Sequence, residues 1–166
     1  MLELKFKKLT DTMTVPTKAH ETDACWDLYA DIPHQAFTVV DSNKDVDSMI
    51  TNSEKGVYIK PHETVKIPTG FATNLPHGYW VAVFARSGLA TKQGLRPANC
   101  VGVIDEPYTG EWIVALHNDS DEPQIVHHGD RIAQFAILPC FNVKFIEVDG
   151  LVTTDRGIGG FGSSGK

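Results

Sequence analysis

The chain has few cysteines and no long apolar run, and each shortage excludes a class of protein. Cys25, Cys100 and Cys140 form no C-x-x-C pair and have no histidine cluster at zinc spacing. We therefore expect free, buried thiols in a reducing cytoplasm, whether of a cell or of a virus-infected host. The longest apolar runs, Tyr79–Ala85 and Phe135–Phe141, fall far short of the ~20 residues that span a bilayer, so no membrane contact is expected.

Basic residues are also scarce: 15 lysines and arginines stand against 21 acidic residues, for a formal net charge of −6. Non-specific binding to nucleic acid needs phosphate-neutralising cations spread over a surface, so no direct nucleic-acid partner is expected. A small anionic ligand stays possible, because a few well-placed arginines suffice. The length of 166 residues, 42% of them apolar, is typical of one globular domain.

Short apolar segments separated by turns dominate the rest of the sequence. The alternation in Leu2–Lys7 predicts a half-buried strand. Further strand candidates are Trp26–Ala30, Phe37–Val40, Val57–Ile59, Thr64–Ile67, Phe71–Leu75, Tyr79–Ala85, Glu111–His117, Pro123–Val126, Arg131–Leu138 and Val143–Val148. Thr69-Gly70 reads as a turn between two of them. Many short strands predict an all-β sandwich or barrel. The one helix expected is Ser87–Gln93, with Ser87 as its N-cap.

Two segments differ from this pattern and suggest the domain organisation. Residues 41–56 are polar and charged, which predicts an exposed insertion. The last ten residues carry five of the chain's 14 glycines. Two phosphate-binding glycine patterns fit this tail by spacing, but both need a following helix and neither is predicted. We expect a β-barrel domain over residues 1–154 and a mobile arm over 155–166.

The arm nevertheless contains residue types that suit a lid over a nucleotide. Glycines such as Gly162 leave backbone N–H groups free to approach an anion. Ser163 and Ser164 add hydroxyl donors, and Arg156 adds a cation suited to phosphate. Phe161 adds an aromatic face that can cover a base. The alternative is a frayed, solubilising tail.

Three further positions have both a chemical and a plain structural interpretation. Arg86-Ser87-Gly88 follows an apolar strand, and it suits either phosphate binding or a helix cap with a surface arginine. Asp105, at a loop tip, is either a proton acceptor or an ordinary turn former. Strand alternation puts Gln134 on one face and Arg131 on the other, so Gln134 is either a buried donor or an edge residue.

In combination these segments resemble the five ordered motifs of the trimeric all-β deoxyuridine triphosphate nucleotidohydrolases (dUTPases). The motifs correspond to Asp23–Leu28, Ala85–Ala90, Asn99–Glu111, Gly129–Gln134 and Arg156–Gly165. Three departures are Cys25, where that family usually has glycine, Glu106-Pro107, where it commonly has small or acidic residues, and the insertion at 41–56. The resemblance implies a jelly-roll-like subunit in a homotrimer with a swapped C-terminal arm and active sites at subunit interfaces. It implies a Mg²⁺-dependent dUTP diphosphatase that forms dUMP and pyrophosphate, limits uracil incorporation into DNA and supplies dUMP for dTMP synthesis.

The resemblance also implies roles for single residues. Asp105 matches the base that activates water, Tyr108 the residue under the deoxyribose, and Asp27 the acidic residue near Mg²⁺, through water, with the phosphates as the main metal ligands. The residues that match substrate contacts are Asn99, Gly102, Val103 and Ile104 for uracil; Arg86, Ser87, Gly88 and Gln134 for phosphate; and Arg156, Gly162, Ser163 and Ser164 in the arm, with Phe161 as the lid over the base.

Two other functions stay open from the sequence. A dCTP deaminase shares the implied fold, but that family has a catalytic glutamate where this chain has Ala115. A nucleotide-gated binding protein would use the 41–56 segment to engage a protein partner. Ammonia release from dCTP would favour the first alternative, and a pull-down that depends on the 41–56 segment would favour the second.

Overall fold

The computed structural model describes residues 2–32, 37–40, 48–49 and 56–160, and these form antiparallel strands with one short helix. The early strands are β1 (Lys5–Lys8), β2 (Trp26–Tyr29), β3 (Phe37–Val40), β4 (Ser48–Met49), β5 (Val57–Ile59), β6 (Thr64–Asn74) and β7 (Tyr79–Phe84). Helix α1 (Ser87–Gln93) precedes β8 (Leu95–Pro97), β9 (Val101–Ile104), β10 (Glu111–Asn118), β11 (Gln124–Val126) and β12 (Arg131–Pro139). The expected all-β class is confirmed.

Two sheets enclose the core. One has the strand order β2-β12-β7-β9; the other has the order β4-β3-β6-β10-β8, with β1 also paired to β6. A third, two-stranded sheet pairs β11 with β5. Aromatic rings join the large sheets: Trp112 on β10 makes edge contacts with Phe71 on β6, at 5.0 Å, and with Phe135 on β12, at 5.1 Å. This ring packing fixes the spacing of the sheets that carry the motif residues.

The predicted turn at Thr69-Gly70 is wrong, because β6 continues through it as a bulge. Between Glu111↔Ala72 and Ile113↔Pro68 the pairing skips two extra residues on β6. Gly70 has φ +63°, and a Cβ there would collide with the buried Asp31. A glycine that permits this left-handed backbone therefore bends a continuous strand instead of ending one.

Most strand predictions are confirmed, with the bounds of β3 and β5 matched residue for residue. The prediction of a strand at Val143–Val148 is wrong for the isolated chain, where this segment is exposed and forms no ladder with any described strand. Strands β4, β8 and β9 were not predicted. The 41–56 insertion lies outside the described residues apart from Ser48–Met49 and Gly56.

Two smaller expectations are also corrected. Helix α1 has the predicted bounds, but its N-cap is Arg86 and no side chain caps it, so Ser87 is its first helical residue. The three thiols are free, yet Cys100 and Cys140 are exposed and Cys25 is half-buried. Cys100 sits in a tight turn with φ +61°, which leaves its side chain outside the core. No helix in the described ranges is long and apolar enough to cross a membrane.

Candidate active site

A cavity of about 480 Å³ brings three of the five motifs together, and we call it the arginine cavity. Its lining comprises Ala19, Asp23, Ala24, Cys25, Asp27, Arg86, Ser87, Gly88, Arg131 and Gln134. These residues belong to β2 and the segment before it, to the connection from β7 into α1, and to the first half of β12; the three strands are neighbours in one sheet. The sheet therefore gathers the first, second and fourth motifs at a single edge.

Asp27 fixes two arginines in the wall of this cavity. Its Oδ1 accepts a hydrogen bond from Arg86 Nε at 2.7 Å, and its Oδ2 accepts one from Arg131 Nη1 at 3.2 Å. The Asp27 side chain is only 13% exposed, whereas that of Arg131 is 48% exposed. Each guanidinium carries five N–H donors, more than one carboxylate can accept, so donors remain for an anion in the cavity.

Ser87, Gly88 and Gln134 line the same cavity. Gln134 Nε2 donates to the Ala85 carbonyl at 2.9 Å, which ties β12 to the residues that lead into α1. A Cβ added to Gly88 would meet nothing within 4 Å, so its backbone faces open space. Burial raises the pKa of the neighbouring Cys25 thiol, which keeps that group neutral. The cavity wall is therefore rich in donors and in small residues, as an anion site requires.

Strand alternation misses Arg131, because it assigns Arg131 and Gln134 to opposite faces of the strand. The pairing of β12 with β2 shifts between Arg131↔Tyr29 and Ala133↔Leu28, so β12 has one extra residue there. This bulge brings Arg131 and Gln134 to the same cavity. A bulge has no clear signature in this stretch of sequence, so period-two counting fails.

Residues of the third motif line a different, smaller cavity of about 110 Å³, which we call the hairpin cavity. It is lined by Leu28, Val83, Pro97, Asn99, Gly102, Val103, Ile104, Trp112, Ile113, Val114 and Ala115. Gly102 packs tightly here, since a Cβ would lie 3.1 Å from Val83 Cβ. Among the cavity residues, Asn99, Val103 and Ile113 are exposed. The predicted uracil-reading residues are thus gathered at one place.

Asp105 and Tyr108 lie in the loop that leaves β9. Asp105 is exposed, and its carbonyl accepts the Tyr108 N–H at 3.0 Å. The Tyr108 hydroxyl donates to the Glu111 carbonyl at 2.8 Å. A Cβ on Gly110 would lie 2.7 Å from the tyrosine ring, so glycine lets the ring lie on its own loop. Tyr108 as a whole stays 44% exposed, so it remains accessible to a ligand.

The strand register separates Asp105 from the arginine cavity within one chain. Ile104 pairs with Val81 near the start of β7, whereas Arg86 follows the end of β7. Asp105 is thus about six residues from Arg86 along β7, or about 20 Å at the usual strand rise. Their side chains together do not span that distance, so the two groups do not meet within one chain.

The arm is only partly described. Arg156 is exposed, and its Nε donates to its own arm at the Gly159 carbonyl, at 3.0 Å. It makes no bond with either cavity among the described residues. Phe161, Gly162, Ser163 and Ser164 lie outside the described residues. Within the described ranges no group of three or more His, Cys, Asp or Glu side chains forms a metal cage.

Comparison with known proteins places this geometry in a family. A family model described as dUTPase matches residues 51–165. Deoxyuridine 5'-triphosphate nucleotidohydrolase of Desulfitobacterium hafniense is 56% identical over 108 residues, which are 64% of this chain and 72% of that protein. The protein of the same name from Gloeobacter violaceus is 38% identical over 164 residues, 99% of this chain and 97% of its own.

A solved structure shares the fold. The dUTPase of Staphylococcus bacteriophage 80alpha with dUPNHPP has a TM-score of 0.78 at 24% identity, with 99% of both chains covered. The study of that phage protein states that phage dUTPases control transfer of virulence genes by a proto-oncogenic G protein-like mechanism.

Proposed function

The chain belongs to the dUTPase family, and from this premise we propose that it hydrolyses dUTP to dUMP and pyrophosphate with Asp105 activating the attacking water. The observation that carries the proposal is the arginine cavity, where Ser87, Gly88 and Gln134 surround two guanidiniums held by one carboxylate. Such a wall suits a polyphosphate. The same activity would limit uracil incorporation into DNA and supply dUMP for dTMP synthesis in the cytoplasm.

Phosphate binding and charge stabilisation are the work of the arginine cavity. Arg86 and Arg131 supply fixed positive charge, and Ser87 and the Gly88 backbone supply neutral donors. Cleavage at phosphorus depends mostly on positioning and on stabilising charge that develops on phosphate oxygens. Donors held in place beforehand by Asp27 need little reorganisation when that charge appears.

The hairpin cavity and its loop supply base selection and proton transfer. Backbone groups near Asn99, Gly102, Val103 and Ile104 would read uracil, and their close packing would exclude a 5-methyl group. Tyr108 would lie under the deoxyribose, where a 2′-hydroxyl would clash with its ring. The exposed Asp105 carboxylate would accept a proton from water as the bond between the α- and β-phosphates is hydrolysed.

The residues of the arginine cavity also fit Mg²⁺. The ion prefers phosphate oxygens and water, with only one or two carboxylates. Asp27 uses one lone pair on each oxygen for the arginines, and a carboxylate accepts at about four positions, so it can still bind a metal-bound water. When bound, Mg²⁺ neutralises the triphosphate. Asp27, through water, is the protein group that would hold it there.

The separation of Asp105 from Arg86 supports a homotrimer with active sites between subunits. The segment after β12, residues 141–151, supports the same assembly. Its Phe141, Phe145 and Leu151 are 79%, 94% and 90% exposed, so they leave apolar surface for another copy to bury. An apolar groove of about 370 Å³ on the barrel offers a surface for it. The groove is lined by Leu2, Leu4, Phe6, Val15, Pro16, Ala24, Trp26, Phe71, Phe135 and Ile137. We infer that this segment of one copy covers the groove of another.

The arm would then close over the bound nucleotide. Arg156, Ser163 and Ser164 would clamp the phosphates, the backbone at Gly162 would approach them closely, and Phe161 would cover the uracil. Ordering a glycine-rich arm costs conformational entropy, which phosphate and base contacts must offset. The arm is therefore expected to order only when the substrate is bound.

Pyrophosphate release with Mg²⁺ from dUTP, dCTP, dTTP and UTP, measured side by side, tests the reaction. Release from dUTP alone would support both base and sugar selection. Ammonia release from dCTP would instead identify a deaminase, which Ala115 in the hairpin cavity argues against. A protein partner for the 41–56 segment is a second proposed role; a phage dUTPase of the same fold is linked to control of virulence-gene transfer. A pull-down unchanged by deleting residues 42–55 would count against it.

A further inference from the structure

The loop that carries Asp105 crosses between the two large sheets. It leaves β9 in the four-stranded sheet and enters β10 in the other, so no ladder joins the strands on its two sides. The bonds of Tyr108, to the Asp105 carbonyl and the Glu111 carbonyl, lie within the loop and its exit. These bonds shape the loop without fixing it relative to the rest of the barrel.

Glu106 makes the connection that the ladders do not. Its Oε2 accepts the Gly78 backbone N–H at 2.8 Å, and its Oε1 lies 2.9 Å from His77 Nδ1, in the turn between β6 and β7. For the described residues, these are the hydrogen bonds that tie loop 105–110 to a distant part of the chain. The Gly78 N–H and then His77 lower the pKa of Glu106, so the carboxylate stays ionised and keeps both contacts.

We propose that Glu106 is a positioning residue, whose bonds to the His77–Gly78 turn hold the adjacent Asp105 where it can take a proton from the attacking water. This rests on the proposed role of Asp105. A general base must lie within hydrogen-bond reach of the proton it takes. A displacement of about 1 Å can cost ~100-fold in rate. Phosphate binding depends on residues elsewhere, so loss of Glu106 affects turnover more than substrate affinity.

The test compares steady-state pyrophosphate release by the full-length wild type with Glu106→Ala, Glu106→Gln and Asp105→Asn. Glu106→Ala should lower kcat about tenfold or more, with KM within about threefold. Glu106→Gln should recover most of kcat, because the amide oxygen still accepts from Gly78 and the amide N–H can donate to His77. The matched control is Glu63→Ala, which removes a similar carboxylate bond, to Lys60 N at 2.7 Å, beyond the other end of β6 and should leave kcat unchanged.

Three outcomes would overturn the proposal. Wild-type kcat in Glu106→Ala would show that the contact is irrelevant. A Glu106→Gln variant as slow as Glu106→Ala would show that the charge itself matters, as for a base. A fall in kcat matched by a lower melting temperature, or shared by Glu63→Ala, would show a general structural effect. A wild type that releases no pyrophosphate, or an Asp105→Asn variant as fast as wild type, would refute the proposed function instead.

Discussion

Two inactive variants should restore each other if each active site takes Asp105 from one subunit and Arg86 from another. Asp105→Asn removes the base, and Arg86→Ala removes a fixed cation about 20 Å away in the same chain. Each homotrimer should have below ~1% of wild-type activity. In a randomly mixed assembly, half of the sites draw an intact Asp105 and half draw an intact Arg86. About a quarter of all sites should therefore be native.

The assay is pyrophosphate release after the two variants are unfolded together and refolded at equal concentration. One variant carries a tag, so native mass spectrometry of the mixture should show that mixed trimers form. The control mixes Asp105→Asn with the double variant that carries both changes, which contains no intact base and should stay inactive. Mixed trimers with no recovered activity would refute the reasoning, because a site built within one chain cannot be complemented.

Three further predictions concern the arm, the assembly and acid stability. Deleting residues 155–166 should leave the trimer intact in size-exclusion chromatography but lower kcat at least ~100-fold, and full activity would show that the arm is only a tail. Phe145→Asp should shift the assembly toward monomers in light scattering, because burying a phenylalanine is worth about 1.5–3 kcal/mol. The control is Ile158→Asp, at a fully exposed position. If both variants have the same oligomeric state, the segment does not dock on another copy. The hydrogen bond from Arg96 lowers the pKa of Asp119, so the stability it contributes is complete above the unfolded pKa of about 4 and is lost as pH falls through the lower folded value. Between pH 7 and pH values below 4, the melting temperature of Asp119→Asn should therefore fall less than that of the wild type. An equal fall in both proteins would contradict this.

The sequence predicts which segments can form strands better than it predicts how they pair. Alternation and turn residues identified nearly all of the longer strands, because both depend on local chemistry. Two bulges escaped prediction. Gly70 looks like a turn residue whether the chain reverses there or bends within β6, since either conformation uses a positive φ. The bulge at Ile132 moves Arg131 into the arginine cavity, and only the pairing with β2 reveals it.

Some residues of the candidate site can likewise be predicted from the sequence, whereas others are found only in the structure. The identity of Ser87, Gln134 and Asp105 as candidates follows from residue type and spacing in the sequence. The role of Glu106 does not follow from the sequence, because its partners are His77 and the backbone N–H of Gly78, some 28 residues away. Backbone donors leave no mark on sequence. Residues that act through such donors become visible only when the loops that carry them are placed together.

A missing strand and an incomplete site have one physical explanation. The segment Val143–Val148 has the sequence pattern of a strand, yet in one chain its apolar side chains face solvent and its backbone pairs with no strand in the part of the chain that the structure describes. Arg86 lines the arginine cavity and Asp105 lies in the exposed loop after β9, so within one chain they stand near opposite ends of β7. In the proposed homotrimer, surfaces of another copy would bury this segment and bring the two side chains together. On this proposal assembly and catalysis are coupled, because the contacts that cover the segment would also bring Asp105 of one subunit to the arginine cavity of the next.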